Sequence, residues 1–226
     1  RREKLFRPRA KYVSEILSAK GPVVVGDIGA GFGLFLEELK RLVSDARCVA
    51  IEPSQEMAGI CRGRDIQVEE TIIEKLVGQD ESFDFLCAFE LFEHLHQPRS
   101  MIEAAFRLLK SGGRFLITTL NGEGFDIQVM WEASKSVFPP HHLNFCNLDS
   151  LGQLLQDVGF KVESAETPGV LDWDIVEGSF RRGQFSPERF WAHIAEHGTE
   201  ESKKEFQLWL TQNKLSSHMR IIAIKP

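Results

Sequence analysis

The feature that most constrains the fold is a glycine-rich segment between an apolar run and a helical pattern. Asp27-Ile28-Gly29-Ala30-Gly31-Phe32-Gly33 follows a continuous apolar run at residues 23–27 and leads into helical spacing at 32–43. Closely spaced glycines allow a tight turn with unusual backbone angles and the close approach of a ligand. A short apolar run before such a turn is typical of a strand buried on both faces of a sheet. The segment therefore predicts the strand, turn and helix that open an α/β domain.

Strand and helix patterns alternate along most of the chain. Strands are predicted at 23–27, 47–51, 66–69, 83–89, 114–120, 160–165 and 220–224, and helices at 32–43, 55–62, 98–109 and 148–158. This alternation implies right-handed crossovers and an α/β fold with a doubly wound, mostly parallel sheet. Ligands of such sheets bind beyond the carboxyl ends of the strands, which directs attention to the residues that follow each strand.

Composition fits one domain in a reducing compartment. The chain has 226 residues, 42% of them hydrophobic, so it can bury a core without disulfides. We expect a single domain over 1–226, with an N-terminal helix at 1–20 and a helical insert or lid at 172–217. The cysteines form no Cys-x-x-Cys pair, which favours buried thiols in a cytoplasmic protein. No apolar run reaches membrane-spanning length, so no integral membrane segment is expected.

Net charge argues against nucleic acid as a partner. The formal charge is −6 at pH 7, whereas affinity for nucleic acid comes largely from Lys and Arg contacts to phosphates. The exception is a basic cluster near the N-terminus, for which the favoured interpretation is the solvated face of the first helix. Its members are Arg1, Arg2, Lys4, Arg7, Arg9 and Lys11.

An acidic residue, Glu52, ends the second predicted strand. A carboxylate at this place can accept hydrogen bonds from two ribose hydroxyls. The turn before it has G-x-G-x-G spacing, whereas the dinucleotide fingerprint G-x-G-x-x-G would need its third glycine at Leu34. A nicotinamide-dependent oxidoreductase therefore fits less well. Its short-chain type needs a Tyr-x-x-x-Lys pair. That type is excluded because the single tyrosine, Tyr12, precedes the first strand.

Several segments together resemble the class I S-adenosylmethionine (SAM)-dependent methyltransferases. They are Asp27-x-Gly29-x-Gly31-x-Gly33, then Glu52, then Phe89-Glu90-Leu91-Phe92-Glu93-His94-Leu95 with Pro98, and then Leu108-Leu109-Lys110-Ser111-Gly112-Gly113. The resemblance covers most of residues 21–170, and the nearest branch includes quinone-biosynthesis O-methyltransferases and enzymes of surface-sugar pathways. It implies a seven-stranded Rossmann-like sheet with an antiparallel last strand.

The resemblance also implies where SAM, and its product S-adenosylhomocysteine (SAH), would bind. Asp27 would hold the amino group and Glu52 the ribose. The other residues that it implies at the cofactor are Gly29, Ala30, Gly31, Gly33, Pro53, Ser54, Met57, Ile72, Phe89, Glu90 and His94. In the family the position of His94 helps to shape the floor of the site. For this histidine a packed, hydrogen-bonded role is favoured over a catalytic one.

Two adjacent histidines, His141 and His142, are the predicted catalytic residues. They follow Pro139-Pro140 in a loop expected to enter over the cofactor after the fifth strand. A histidine near neutral pH can remove a proton from a hydroxyl acceptor. A structural loop that docks Phe145 and caps the next helix explains the segment about equally well. No metal site is expected, because adjacent histidines rarely share one ion and no Cys-x-x-Cys pair lies nearby.

These features favour a SAM-dependent methyltransferase that acts on a small-molecule or glycan acceptor, by O- or C-methylation through in-line displacement. Trp131, Phe138 and Trp173 are expected in loops that border the acceptor pocket, although packing explains each one better when taken singly. Asp172 and Asp174 either bind acceptor hydroxyls or are solvated acids. A non-catalytic SAM-binding regulatory domain is the main alternative, and the sequence leaves the oligomeric state open.

Overall fold

The computed structural model, which describes residues 2–17 and 21–226, contains one seven-stranded sheet with helices on both faces. The strands are β1 (Val23–Ile28), β2 (Ala46–Ile51), β3 (Gln67–Glu69), β4 (Phe83–Phe89), β5 (Leu109–Leu120), β6 (Lys161–Glu166) and β7 (His218–Ile224). Their spatial order is β3-β2-β1-β4-β5-β7-β6. The first five strands pair in parallel, and β7 runs antiparallel between β5 and β6. The predicted doubly wound sheet with an antiparallel last strand is confirmed.

Helices fill the connections between the strands. They are α1 (Arg7–Leu17), α2 (Leu34–Leu42), α3 (Gln55–Gly63), α4 (Pro98–Leu108), α5 (Phe125–Met130), α6 (Leu148–Val158), α7 (Asp172–Arg181), α8 (Arg189–His197) and α9 (Glu200–Gln212), and a short π-helical turn, Arg2–Phe6, precedes α1. Of the helix predicted at 1–20, residues 1 and 18–20 lie outside the described residues. Among the described helices, none combines the length and the apolarity needed to cross a membrane.

Helix α6 shows how local chemistry sets the ends of an element. The Asn147 side chain accepts a hydrogen bond from Ser150 N, and Ser150 Oγ accepts one from Asn147 N, which forms a capping box. Gly159 ends the helix with a φ of 115°, a conformation that glycine adopts without steric cost. The amphipathic pattern, the cap and the glycine all lie close together in the sequence, so the predicted bounds of this helix are confirmed.

Apolar side chains pack against both faces of the sheet. The face covered by α1 and α2 buries, among others, Val13, Val25, Leu36 and Phe85. The opposite face, covered by α4 and α6, buries Ile102, Phe115, Leu151 and Ile221. Strands buried on both faces show continuous apolar runs, which is why β1, β4 and β5 are visible in the sequence.

The segment between β6 and β7 is helical and has its own apolar cluster. We call this cluster the α7–α9 cluster. Helix α5 also contributes to it, and its buried members are Phe125, Met130, Trp173, Val176, Ala195 and Leu210. Trp173 is only 3% exposed here, so its expected place at an acceptor pocket is wrong. Asp172 is also buried and accepts hydrogen bonds from Ser217 N and Gln207 Nε2, which gives it a structural role. That this segment acts as a lid stays a prediction.

The N-terminal basic cluster is only partly a solvated face: Lys4, Arg7 and Lys11 are exposed, as the favoured interpretation expects, whereas Arg2 and Arg9 are half-buried. Arg2 pairs with Glu37 and Glu38 of α2, and Arg7 also pairs with Glu38. Arg9 reaches the end of β4, as described below. Arg1 lies outside the described residues. These ion pairs fasten the N-terminal segment to the domain.

Candidate functional site

The loops that carry the predicted site residues meet at one edge of the sheet. Gly29 N, after β1, donates to Ile51 O at the end of β2 at 2.9 Å. Glu90 N, after β4, donates to Thr118 O of β5 at 2.8 Å. Because β7 is antiparallel, its first residue, His218, lies at the same edge, opposite Leu120. The carboxyl ends of four parallel strands and the amino end of β7 thus converge.

Glu52 holds the glycine-rich turn against the start of α3. Its carboxylate accepts from Gly31 N at 2.8 Å and from Ser54 N at 2.9 Å, and the residue is 5% exposed. Each carboxylate oxygen has a second lone pair, so the group can still accept from the hydroxyls of a ribose. Ser54 Oγ in turn caps α3 by accepting from Met57 N.

The glycines of the turn serve different purposes. Gly29, Gly31 and Gly33 all have positive φ, at 70°, 55° and 70°. A Cβ on Gly33 would lie 2.8 Å from Ile66 Cδ1 and 2.9 Å from Cys61 Sγ, so this glycine is required by packing. A Cβ on Gly31 would meet no atom within 4 Å. Gly31 therefore faces open space, as a glycine at a ligand site should.

Asp27, at the end of β1, is buried next to this turn. Burial raises the pKa of its carboxyl to about 7, although a hydrogen bond from the Cys87 thiol and the charge of Arg9 act in the opposite direction. A buried carboxylate is stabilised by a cation placed beside it. The amino group of a bound amino acid would provide such a cation.

A largely apolar cavity of about 530 Å³ opens beside the turn, and we call it the strand-end cavity. Its wall includes Gly29, Pro53 and Ile72, which are three of the predicted cofactor residues, together with Ile51 and Leu91. An apolar cleft of this size suits a flat heterocycle such as adenine.

A second cavity, of about 370 Å³, lies under α1 and is called the α1 cavity. Glu90 lines it and accepts from Arg9 at 2.9 Å, Thr118 Oγ1 at 2.7 Å and His218 Nδ1 at 2.8 Å. Burial raises the pKa of Glu90, but the hydrogen bonds and the charges of His218 and Arg9 outweigh it and lower the pKa to about 2. Phe89 lines the same cavity and packs under the Arg9 guanidinium at 4.7 Å.

Arg9 and His218 have no part in the sequence prediction of the site. Arg9 belongs to the N-terminal basic cluster, and His218 lies in an exposed-looking polar stretch just before the apolar run of β7. No local motif marks either residue. The fold alone brings them to Glu90.

A third cavity, of about 450 Å³, lies between the β5–α6 loop and α7 and is called the α7 cavity. Its wall includes Glu93, Asp126, His142, Asp174, Ser217 and His218. His218 also lines the α1 cavity, so the two cavities adjoin. Of the two acids left open by the sequence, only Asp174 faces a cavity.

The structure separates the two predicted catalytic histidines. His142 lines the α7 cavity, and its Nδ1 lies 2.8 Å from Ser136 O. Because a carbonyl only accepts, Nδ1 carries the hydrogen and Nε2 is left as a proton acceptor. His141 is exposed and stacks on Phe138 with ring centroids 5.0 Å apart.

His94 lies beside His142, with ring centroids 4.9 Å apart, and its Nδ1 bonds His141 O at 2.8 Å. It is hydrogen-bonded, as the favoured interpretation expects, but it is exposed and not packed in the interior. The ligand atoms of Glu93, His94 and His142 lie within 4.8 Å of one another. One carboxylate and two imidazoles form a donor set that could coordinate a divalent cation. The sequence does not show this group, because His142 comes from a distant loop.

Comparison with known proteins identifies the family. A family model described as a methyltransferase domain matches residues 1–165. The chain is a class I SAM-dependent methyltransferase. The glycine-rich turn and the ends of β1 and β2 beside the strand-end cavity fit SAM. Gly31 leaves room for it, Glu52 offers acceptors for a ribose, and buried Asp27 has no ion-pair partner within the described part of the chain.

Relatives of this methyltransferase include quinone-pathway enzymes. It is 30% identical over 168 residues to the ubiquinone biosynthesis O-methyltransferase of Xanthomonas euvesicatoria, which spans 69% of each chain. It is 36% identical over 120 residues to the enzyme of the same name from Xanthomonas oryzae. That second match spans about half the length of both chains, at 50% and 49%.

The fold is shared with a solved structure that contains SAM. Phosphoethanolamine N-methyltransferase 2 of Haemonchus contortus, crystallised with SAM, superposes with a TM-score of 0.68 at 18% identity. The superposition covers 97% of this methyltransferase and 52% of the other chain. At this identity the likeness concerns the fold alone.

Proposed function

We propose that this methyltransferase methylates a hydroxyl oxygen of a small-molecule or glycan acceptor that binds in the α7 cavity. The observation that carries the proposal is His142, which lines the cavity with Nε2 free to accept a proton. The cavity adjoins the α1 cavity, where Glu90 follows β4. An acceptor there would lie next to the methionine end of the cofactor.

In this proposal the cofactor extends along the edge of the sheet. Asp27 binds the amino group, Glu52 the ribose, and the strand-end cavity takes the adenine. Arg9 pairs with Glu90, and its charge also acts on Asp27, so it would lie near the charged end of the cofactor. Asp27 and the Arg9–Glu90 pair therefore orient the charged amino-acid end of the cofactor.

The protein's contribution to catalysis is position and proton removal. Bound SAM supplies a methyl group on a sulfonium, and its transfer forms a carbon–oxygen bond as the carbon–sulfur bond breaks. The α7 cavity aligns the acceptor oxygen, and orientation of this kind is worth up to about 7–11 kcal/mol. His142 Nε2 takes the hydroxyl proton, and Ser136 O keeps the ring in the required tautomer. C-methylation would use the same base and would be distinguished by the carbon-13 shift of the transferred methyl.

The cofactor assignment is tested with Glu52. We expect Glu52→Ala to weaken SAM binding by about tenfold or more, because hydrogen bonds to a charged group are lost. The variant also leaves Gly31 N and Ser54 N without their partner, so some loss of stability accompanies it. Calorimetry with SAH on the folded variant measures the affinity, and an unchanged value would defeat the ribose assignment.

The base is tested with the pair of adjacent histidines. We expect His142→Ala to lower kcat by about a hundredfold or more, as is usual for a general base, while SAH affinity stays constant. His141→Ala is the matched control and should retain kcat, because His141 is exposed on the loop surface. SAH release is measured with a panel of hydroxylated acceptors. Equal rates for His142→Ala and the parent would show that His142 is not the base and has a structural role.

A further inference from the structure

The wall of the α7 cavity contains buried polar atoms without partners. Asp126 and Ser217 both line the cavity and are 2% and 1% exposed. Asp126 Oδ2 accepts from Ser134 and Ser136, whereas Asp126 Oδ1 and Ser217 Oγ have no hydrogen-bond partner among the described residues. Folded proteins pair nearly all buried polar atoms, so each exception requires an explanation. A ligand hydroxyl can both donate and accept, so ligand hydroxyls could satisfy each of these atoms.

The same cavity carries two cations, Lys135 and Arg182, that form no ion pair with a carboxylate among residues 2–17 and 21–226. Lys135 and Arg182 line it, and both residues are exposed. Arg182 approaches only neutral oxygens within the described part of the chain, Ser179 Oγ at 3.4 Å and Gln184 Oε1 at 3.3 Å. The neighbouring Arg181, by contrast, forms an ion pair with Glu177. Lys135 and Arg182 are therefore available to an anion.

The charges in the cavity fix the orientation of such a ligand. Glu93 and Asp126 are acids in the buried wall, which would repel an anionic group placed there. The exposed lining residues include two basic side chains, Lys135 and Arg182, and one acidic side chain, Asp174. Hydroxyl-binding atoms thus lie inside and an excess of positive charge lies at the mouth.

We infer that the acceptor is a small hydroxylated molecule that also carries an anionic group, either a carboxylate or a phosphate. Its hydroxyls bind at Asp126 and Ser217, and its anionic group binds Lys135 and Arg182, whose guanidinium can engage two oxygens at once. The inference rests on the proposed function, in which the acceptor occupies the α7 cavity. In this orientation an inner hydroxyl lies toward His142, which receives its proton as the new carbon–oxygen bond forms.

Binding to the SAH-loaded full chain tests this inference. Calorimetry compares neutral and anionic probes of matched shape: glucose against glucuronate and glucose 6-phosphate, and catechol against 3,4-dihydroxybenzoate. We expect at least one anionic probe to bind about tenfold or more tightly than its neutral partner, the gain typical of one charge-assisted hydrogen bond. The carboxylate and phosphate arms then distinguish the two kinds of anion.

Variants assign the effect to the cavity. We expect Arg182→Gln and Lys135→Gln each to weaken binding of the preferred anionic probe by about tenfold. Neither variant should change the affinity for the neutral probe. Arg181→Gln is the matched control and should bind as the parent does. Ser217→Ala should weaken binding of a neutral probe and of its anionic partner equally, because it removes a hydroxyl contact and no charge. Its fold should persist, since the backbone N–H, not the side chain, bonds Asp172.

Several outcomes would overturn the inference. They are neutral probes that bind as tightly as anionic ones, millimolar anionic probes that show no binding, and an Arg182→Gln variant that keeps the parent's preference. All of these leave SAH binding and methyl transfer to neutral acceptors intact, so the proposed function survives them. If SAH itself does not bind the parent protein, the proposed function fails and the inference falls with it.

Discussion

Asp27 is a single residue whose burial carries a cost in stability. It is almost fully buried at the end of β1, and the described residues give it only the weak thiol donor of Cys87 at 3.5 Å. A buried carboxylate that has no direct ion-pair partner is destabilising in its ionised form, and the charge of Arg9 offsets only part of this effect at Asp27. We attribute its persistence to the amino group of the cofactor, which would restore the missing charge.

The cost of Asp27 should appear in the dependence of stability on pH. Its carboxyl has a pKa of 3.8 when unfolded and about 7 when folded, so the folded state holds a proton that the unfolded state releases. Its contribution to stability is complete below about pH 4 and is lost as the pH rises through about 7. We expect Asp27→Asn to remove this loss, so that near pH 8 its free energy of unfolding exceeds that of the parent by on the order of 4 kcal/mol. We also expect this variant to abolish SAM binding.

Thermal unfolding of the cofactor-free proteins across the pH range measures the effect. The other titrating groups are common to both proteins, so the difference between their curves isolates Asp27. Parallel curves would mean that its carboxyl titrates as it does in the unfolded chain.

At the scale of the element, the glycines of the glycine-rich turn differ in their surroundings. Gly33 packs against α3 through Cys61 and against Ile66, whereas Gly31 faces open space and donates its N–H to Glu52. The spacing of the glycines was readable in the sequence. Which glycine is required by packing and which faces open space depends on the neighbours that other segments supply.

Alanine substitutions at these glycines should have separable effects. We expect Gly33→Ala to lower the free energy of unfolding by more than about 2 kcal/mol, because positive φ and a clash with Cys61 add together. Gly31→Ala should cost only the backbone strain of about 1–2 kcal/mol but weaken SAH binding strongly. Denaturant melts and calorimetry on both variants decide the matter. The assignment fails if Gly31→Ala binds SAH as the parent does.

At the scale of the whole molecule, the protein has a sheet core and a separate α7–α9 cluster. The strand-end cavity lies over the sheet, whereas α7 contributes to the wall of the α7 cavity. The two cavities therefore depend on different parts of the apolar interior. We propose that the cluster shapes the acceptor site and that the sheet shapes the cofactor site.

A matched pair of leucines on α9 tests this division. Leu210 is 1% exposed in the α7–α9 cluster, whereas Leu208 is 57% exposed on the same helix. We expect Leu210→Ala to destabilise the protein by about 2–5 kcal/mol and Leu208→Ala by less than about 0.5 kcal/mol. At a temperature where Leu210→Ala is still folded, it should raise the KM for the acceptor and leave SAH affinity unchanged. A matching loss of SAH affinity would show that the two parts are one unit.

The sequence by itself determined the doubly wound sheet, the glycine-rich turn and Glu52. Each of these depends on residues that are close in sequence, where periodicity and turn chemistry act directly. It did not reveal helix α5, because six residues are too few to show a helical period. It placed Trp173 at the acceptor, whereas the apolar α7–α9 cluster buries it.

Only the tertiary structure decided how distant segments complete the site. Insertion of β7 between β5 and β6 brings His218 and Ser217 to the edge where β4 ends, and α1 brings Arg9 to Glu90. Folding of the β5–α6 loop selects His142 over His141. Local patterns encode which element a segment forms, but contacts between segments come from the packing of complete elements. Chain topology, rather than any motif, therefore assembled the α7 cavity.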